Sequence, residues 1–264
     1  MRQPEILVFD IETYPDSSLV EAANGTDLAR FREELNRRTG SDFLPTVYHV
    51  PIAVAFLRTD KTFSEISVEV HTAVPAEERS LIEMFWNKSG EILGTTREHP
   101  RGGVLVSFNG TEFDIPVLET RALKYALQAN PLVRDASSHF DIPLFLAHDV
   151  PARKRGLHLA ALAKLVGLPG KTVLDGSQVR STFDNGGLSE IGRYCLLDVL
   201  QTYFLYLRCQ LLRGMSLDDY ESAIRSLSVF LSNSEDSNVR AVFQHLEGTL
   251  SPLDIAGPKH AAFP

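Results

Sequence analysis

The run from Glu5 to Thr13 is rich in branched and aromatic residues and predicts a β-strand. With period two, Leu7, Phe9 and Ile11 share one face, and Ile6, Val8, Asp10 and Glu12 share the other. Residues 14–49 are longer and more polar, with a helical stretch over Asp27 to Arg38, and read as an insertion before the second strand. Pro51 to Thr59 and Thr62 to His71 predict an antiparallel hairpin closed by a tight Asp60-Lys61 turn. A helix follows from Pro75 to Leu93, then a charged loop, then a fourth strand over Val104 to Phe108 stopped by Asn109-Gly110. Further on, the pattern predicts a helix over Ile115 to Ala129, a short fifth strand over Phe140 to Ile142 and a helix over Leu157 to Val166. Leu188 to Arg213 is the longest helix, closed by Gly214, and another covers Leu217 to Leu231. Three strands followed by alternating helix and strand indicate a mixed α/β sheet. Residues 1–232 are expected to form one domain with the 14–49 insertion, and 233–264 a partly disordered C-terminal extension.

Composition narrows the class. Hydrophobic residues make up 44% and charged residues 23%, as in a globular protein. The longest strongly apolar run, Val50 to Leu57, is too short to span a bilayer. The N-terminus carries no signal-peptide pattern, and the two cysteines, Cys195 and Cys209, make neither a disulfide framework nor a zinc-thiolate pattern. A cytoplasmic location is therefore the expectation. The net charge of −8 argues against a protein that grips nucleic acid through bulk positive charge. It does not argue against a site where divalent cations supply the charge locally.

Three groups of acids break the apolar pattern. Asp10 and Glu12 continue the buried row of the first strand, and adjacent carboxylates repel unless a cation or proton joins them. Asp198 flanks the inner stripe of the long helix (Leu188, Ile191, Cys195, Val199, Thr202), one turn after Tyr194. Asp114 stands near a helix N-terminus just after a Gly turn. Each alone has an ordinary explanation: a strand emerging into solvent, a boundary Asp bonded to a loop, a helix cap. Together they form a set of hard oxygen ligands suited to magnesium or manganese.

In order along the chain, Asp10-Ile-Glu12-Thr, Phe108-Asn-Gly-x-x-Phe-Asp114 and Tyr194-Cys-Leu-Leu-Asp198 resemble the three motifs of the DEDD superfamily of 3′–5′ exonucleases, in its tyrosine form. The resemblance is nearest to stand-alone bacterial proteins similar to the proofreading exonuclease domain of family-B DNA polymerases. It extends to His139-Phe-Asp141, Leu165 to Lys171, Asp175 to Val179 and Asp198 to Tyr203, and covers roughly residues 5 to 213. Leu144 and Leu197 depart from the pattern in ways that bear on substrate preference rather than chemistry.

The resemblance implies a ribonuclease H-like α/β fold, with a five-stranded mixed sheet flanked by helices. It implies that Asp10, Glu12, Asp114 and Asp198 hold two Mg²⁺ or Mn²⁺ ions about 3.5–4 Å apart and that Tyr194 orients the attacking water. The substrate implied is the 3′ end of single-stranded DNA, and the products are nucleoside 5′-monophosphates, with a role in DNA repair. Phe108, Asn109 and Phe113 are candidates for holding the terminal nucleotide, and Arg153, Lys154 and Arg155 for guiding the phosphate backbone. For both phenylalanines the competing expectation is core packing, and for the basic loop it is plain solvation. His139, His158, Trp86, Tyr203, Phe204 and Tyr206 read as structural. Two alternatives stand beside this reading: the same chemistry on RNA or short oligonucleotides, and a weakly active subunit that grips nucleic-acid ends.

Overall fold

A computed structural model of the chain describes residues 5–154, 156–170, 174 and 176–246. Five strands form one sheet: β1 (Glu5–Pro15), β2 (His49–Asp60), β3 (Ile66–Thr72), β4 (Val104–Ser107) and β5 (His139–Asp141). Their order is β3-β2-β1-β4-β5. β1 pairs antiparallel with β2, and β2 with β3, whereas β4 lies parallel to β1 and β5 parallel to β4. This is the mixed topology expected of a ribonuclease H-like fold.

The two faces of β1 enter different cores, as the period-two reading requires. Leu7, Phe9 and Ile11 pack with Phe85, Trp86 and Leu118 of α3 (Glu78–Leu93) and α4 (Asp114–Lys124). Ile6 and Val8 pack against α8 (Leu188–Leu212) on the opposite face. Only one apolar stripe was expected on α8, yet it is buried almost all round from Ile191 to Leu207. The reason is further cover: α9 (Leu217–Asn233) and α10 (Ser237–Leu246) pack against α8 and against β3. A helix that is apolar on every side is one enclosed on every side. α10, which the sequence pattern did not predict, joins this cover through Val239, Val242 and Leu246. Short helices α5 (Ile142–Leu146), α6 (Leu159–Leu165) and α7 (Val179–Asp184) complete it. Among the described residues no helix is long and apolar enough to cross a membrane.

Several boundaries move for identifiable reasons. The expected two-residue turn at Asp60-Lys61 is a wider loop, because the Asp60 carboxylate accepts from the backbone N–H groups of Thr62, Ser64 and Glu65 and delays β3 to Ile66. The helix expected to reach Ala129 stops at Lys124. Ala126 takes a left-handed φ of 52° and the Leu127 N–H returns to the Ala122 carbonyl, which closes the helix. The fifth strand starts one residue early, at His139, and the helix expected over Leu157 to Val166 is the shorter α6. Of the C-terminal extension expected over 233–264, residues 247–264 lie outside the described residues.

The insertion is a structured unit. It contains α1 (Ser17–Asn24) and α2 (Leu28–Thr39) around a small core of Val20, Leu28 and Leu44. A hydrogen bond from the Asp16 N–H to the Tyr48 carbonyl (2.8 Å) closes its base. The Asp16 side chain caps α1 through the Leu19 N–H and also accepts from Arg121 Nη1 at 2.8 Å. Arg121 in turn donates from Nε to Glu78 Oε2 at 2.7 Å, and Lys124 and Tyr125 both donate to Glu78 Oε1. Glu78 is 0% exposed and Arg121 4%. Burial alone would raise the Glu78 pKa, but the hydrogen bonds from Arg121, Lys124 and Tyr125 carry it below its ordinary value.

Candidate active site

The carboxylates gather where β1 outruns its neighbour. β4 pairs with β1 only over Ile6 to Val8, so the Ile11 N–H further along has no strand partner. Asp114, the first residue of α4, fills that place: its Oδ1 accepts from Ile11 N at 3.2 Å. Asp114 is therefore a helical N1 residue with Phe113 at the cap, and its side chain binds β1 as well as its own backbone N–H. On the same end of β1, the β1/β2 register shifts between Glu12 and Thr13. Such irregularities re-aim side chains at strand ends.

Asp10, Glu12 and Asp198 offer ligand oxygens that all lie within 4.8 Å of one another. α8 brings Asp198 to β1, and the Cys195 thiol, one turn earlier, donates to the Asp10 carbonyl at 3.3 Å. Gln201 Nε2, fully buried, donates to Asp198 Oδ1 at 3.3 Å and fixes that carboxylate on its helix. Asp10 Oδ2 is buried without a hydrogen-bond partner among the described residues. Burial, then the carboxylates of Asp114, Glu12 and Asp198, hold the Asp10 pKa far above its ordinary value. Burial likewise raises Asp114 to about 7, against the opposing pull of the Ile11 N–H. Like charges this close together favour a bound cation or a retained proton. The set of hard oxygen donors suits Mg²⁺ or Mn²⁺.

Tyr194 lies beside the cluster and is mostly buried. Burial, followed by the charges of Asp198, Glu12 and Asp10 and a side-chain hydrogen bond with Asp198, raises the phenol pKa strongly. A phenol held protonated donates and positions; it does not accept a proton.

The turn before Asp114 is built by packing. Asn109 adopts a left-handed φ of 67°, and a Cβ at Gly110 would lie 2.5 Å from Ser107 Oγ, so only glycine fits there. The same Ser107 Oγ accepts from the Gly110 N–H (3.1 Å) and lies 2.8 Å from His139 Nε2. Asp141 Oδ2 accepts from both the backbone and the hydroxyl of Thr111. His139 and Asp141 of β5 thus hold the turn in shape, a role for which the sequence offers only their proximity to a short strand.

A cleft of about 1170 Å³ opens over the acids. Phe108, Asn109 and Phe113 line it, and each phenylalanine also packs against a core, Phe108 on the α8 side and Phe113 on the α3/α4 side. Of the three basic candidates the structure brings one to the cleft. The Lys154 side chain is largely buried there, 3.1 Å from Glu112 Oε1. Arg153 is exposed and is not part of the cleft wall. Arg155 lies outside the described residues, as do Lys171 and Asp175 of the quoted motif stretches. His158, read as structural, is exposed on the cleft wall. The sequence reading also missed the part that the insertion plays: Arg32, Phe43, Leu44 and His49 line the same cleft as the acids. Their signal in the sequence, an Arg on a polar helix and a Phe-Leu-Pro run, has no periodicity to reveal it.

Comparison with known proteins places the chain. Residues 41–246 match the family described as "Predicted 3'-5' exonuclease related to the exonuclease domain of PolB". The match begins after Asp10 and Glu12 and includes Asp114, Tyr194 and Asp198. No curated protein matches the chain in sequence. Among solved structures, the zinc-bound E. coli exonuclease I–ssDNA complex is 14% identical over 82% of this chain and 46% of that one, with a TM-score of 0.40. E. coli exonuclease I with a 5cy-dT13 oligonucleotide is 15% identical over 82% and 46%, with a TM-score of 0.37. The chain therefore spans just under half the length of the exonuclease I structures it resembles. With the family model covering most of its length and ending beyond the third acidic motif, the chain belongs to the family of predicted 3′–5′ exonucleases related to the exonuclease domain of family-B DNA polymerases.

Proposed function

We propose that this protein is a metal-dependent exonuclease that releases nucleoside 5′-monophosphates from the 3′ end of single-stranded DNA. The observation that carries the reading is the cluster of Asp10, Glu12 and Asp198 oxygens within 4.8 Å, with Asp114 beside it and one Asp10 oxygen buried and unpaired. Family membership supplies the reaction class, and relatedness to a DNA polymerase domain favours DNA. Asp10, Glu12 and Asp198 would hold one divalent ion, and Asp10 with Asp114 a second. When bound, such ions supply Lewis-acid activation of the attacking water and stabilisation of the leaving 3′ oxygen.

The other roles belong to the side chains of this chain. Tyr194, protonated and donating to Asp198, positions the water by accepting a hydrogen bond from it without losing its own proton. Gln201 keeps Asp198 aimed at the cluster. Phe108 and Phe113 offer aromatic faces that any base can stack on, which suits a substrate read without sequence preference. Asn109 offers polar groups at the same wall, and Lys154 places a cation where a phosphate would pass. Arg153, exposed outside the cleft wall, could act only on more distant phosphates.

The test uses 5′-labelled single-stranded DNA and RNA of one sequence, each incubated with Mg²⁺, Mn²⁺ or EDTA, beside the Asp10→Asn variant. The expected result is a metal-dependent ladder shortening from the 3′ end of the DNA, slowed at least ~10²-fold in the variant. A faster ladder on RNA would reassign the substrate. No shortening of either strand by folded protein would end the exonuclease reading.

A further inference from the structure

Phe43 is 59% exposed, at the mouth of a cleft, in a loop that the fold takes trouble to hold still. On one side, Arg32 donates from Nε to the Asp42 carbonyl (3.2 Å) and pairs with the Asp42 carboxylate at 3.1 Å. On the other, His49 Nε2 lies 3.1 Å from the Leu44 carbonyl. A carbonyl only accepts, so Nε2 carries the hydrogen and Nδ1 accepts from the Thr13 hydroxyl, 2.8 Å away. Burial lowers the His49 pKa and favours this neutral form. Thr13 directly follows Glu12, so the same ring ties the Phe43 loop to the acid cluster.

The Phe43 ring itself sits 5.5 Å from Phe113 and 5.2 Å from His49, centroid to centroid, and His49 meets Phe113 edge-on at 4.9 Å. Phe113 adjoins Asp114. Three rings from two parts of the chain thus form a shelf beside the carboxylates, with its outermost member open to solvent. An apolar ring left exposed while hydrogen bonds fix both of its neighbours is arranged for a flat partner.

We infer that Phe43, carried by the insertion, is a substrate-binding residue that stacks on the base of the 3′-terminal nucleotide. The inference rests on the exonuclease reading above. It gives the 14–49 insertion a function: it is the wall that completes the nucleotide site.

The test is a double-mutant cycle between protein and substrate. Fluorescein-labelled single-stranded DNA, with its 3′-terminal nucleotide either intact or abasic, is titrated with protein in Ca²⁺ and followed by anisotropy; cleavage is then measured in Mn²⁺. Removing the terminal base weakens wild-type binding roughly tenfold. Phe43→Ala weakens binding to intact DNA by the same factor and is indifferent to the missing base, while its melting temperature stays that of the wild type. Phe43→Tyr retains binding, and Phe43→Leu, apolar but without an aromatic face, does not. Losses from ring and base that multiply, a coupling found only at an internal base, or full rescue by leucine would each overturn the inference. If wild type cleaves DNA and Phe43→Ala binds it unchanged, this inference alone fails; if wild type cleaves nothing, the exonuclease reading fails and takes this inference with it.

Discussion

Two buried groups of charge stand at opposite ends of one problem. Around Glu78 and Asp16, each carboxylate has a cationic partner: Arg121 bridges both, and Lys124 adds to Glu78. Their pKa values fall below the ordinary carboxylate range although burial alone would raise them. Around Asp10, the neighbours are Asp114, Glu12 and Asp198, and the pKa of Asp10 is pushed far up. The first group completes itself from the chain's own side chains and moors the insertion. The second gathers like charge, which a bound cation would relieve. Burial of charge is thus no signature of a site; burial of several like charges together is the feature that points to one.

The contrast is sharpest where a variant acts with opposite sign on the two groups. Arg121→Met leaves Glu78 buried without its main partner and should cost about 3–5 kcal/mol of stability in urea denaturation. Asp10→Asn removes one of the repelling charges, and in EDTA it should leave stability unchanged or raise it. Equal losses from both would erase the distinction drawn here.

A smaller effect is expected from metal itself. Mn²⁺ at a hundredfold excess over its Kd should stabilise the wild type by about 2.7 kcal/mol, seen as a rise in melting temperature. Asp10→Asn should show little or none of that rise, while Arg121→Met, destabilised from the start, should keep it.

The remaining effect is spread over pH as a slope. Asp114 keeps its proton up to about pH 7 in the fold but loses it near its ordinary value of 3.8 when unfolded. Between those values the folded state binds more protons, so metal-free stability should fall as pH rises, by at most about 1.4 kcal/mol per pH unit for one group. Glu78 has the opposite sign. Its lowered pKa contributes stability that is present above its ordinary value of 4.5 and lost as pH falls through the folded value. Denaturation in EDTA from pH 4 to pH 8 would show the first slope, and Asp114→Asn should flatten it.

The elements that were legible in the chain are those set by local pattern. The two faces of β1, the pairing of Tyr194 with Asp198 at i, i+4, and the glycine after Asn109 depend on residues a few positions apart, and the structure has them where the pattern put them. Helix α10, the all-round burial of α8 and the early stop at Lys124 escaped. α10 and α8 cover one another, and the left-handed turn at Ala126 is a conformation that alanine does not announce.

The sequence by itself determined that Asp10, Glu12, Asp114, Tyr194 and Asp198 exist in this order on a strand, a helix start and a long helix. That was enough to identify the family and the class of site. Tertiary structure alone decided that Asp114 satisfies the Ile11 amide, that Gln201 holds Asp198, that Lys154 rather than Arg153 enters the cleft, and that a polar insertion supplies part of its lining. Local preference follows from the few dihedrals between neighbouring residues. Which distant groups then meet depends on how strands of unequal length and helices of unequal cover pack together, and no periodicity along the chain records that.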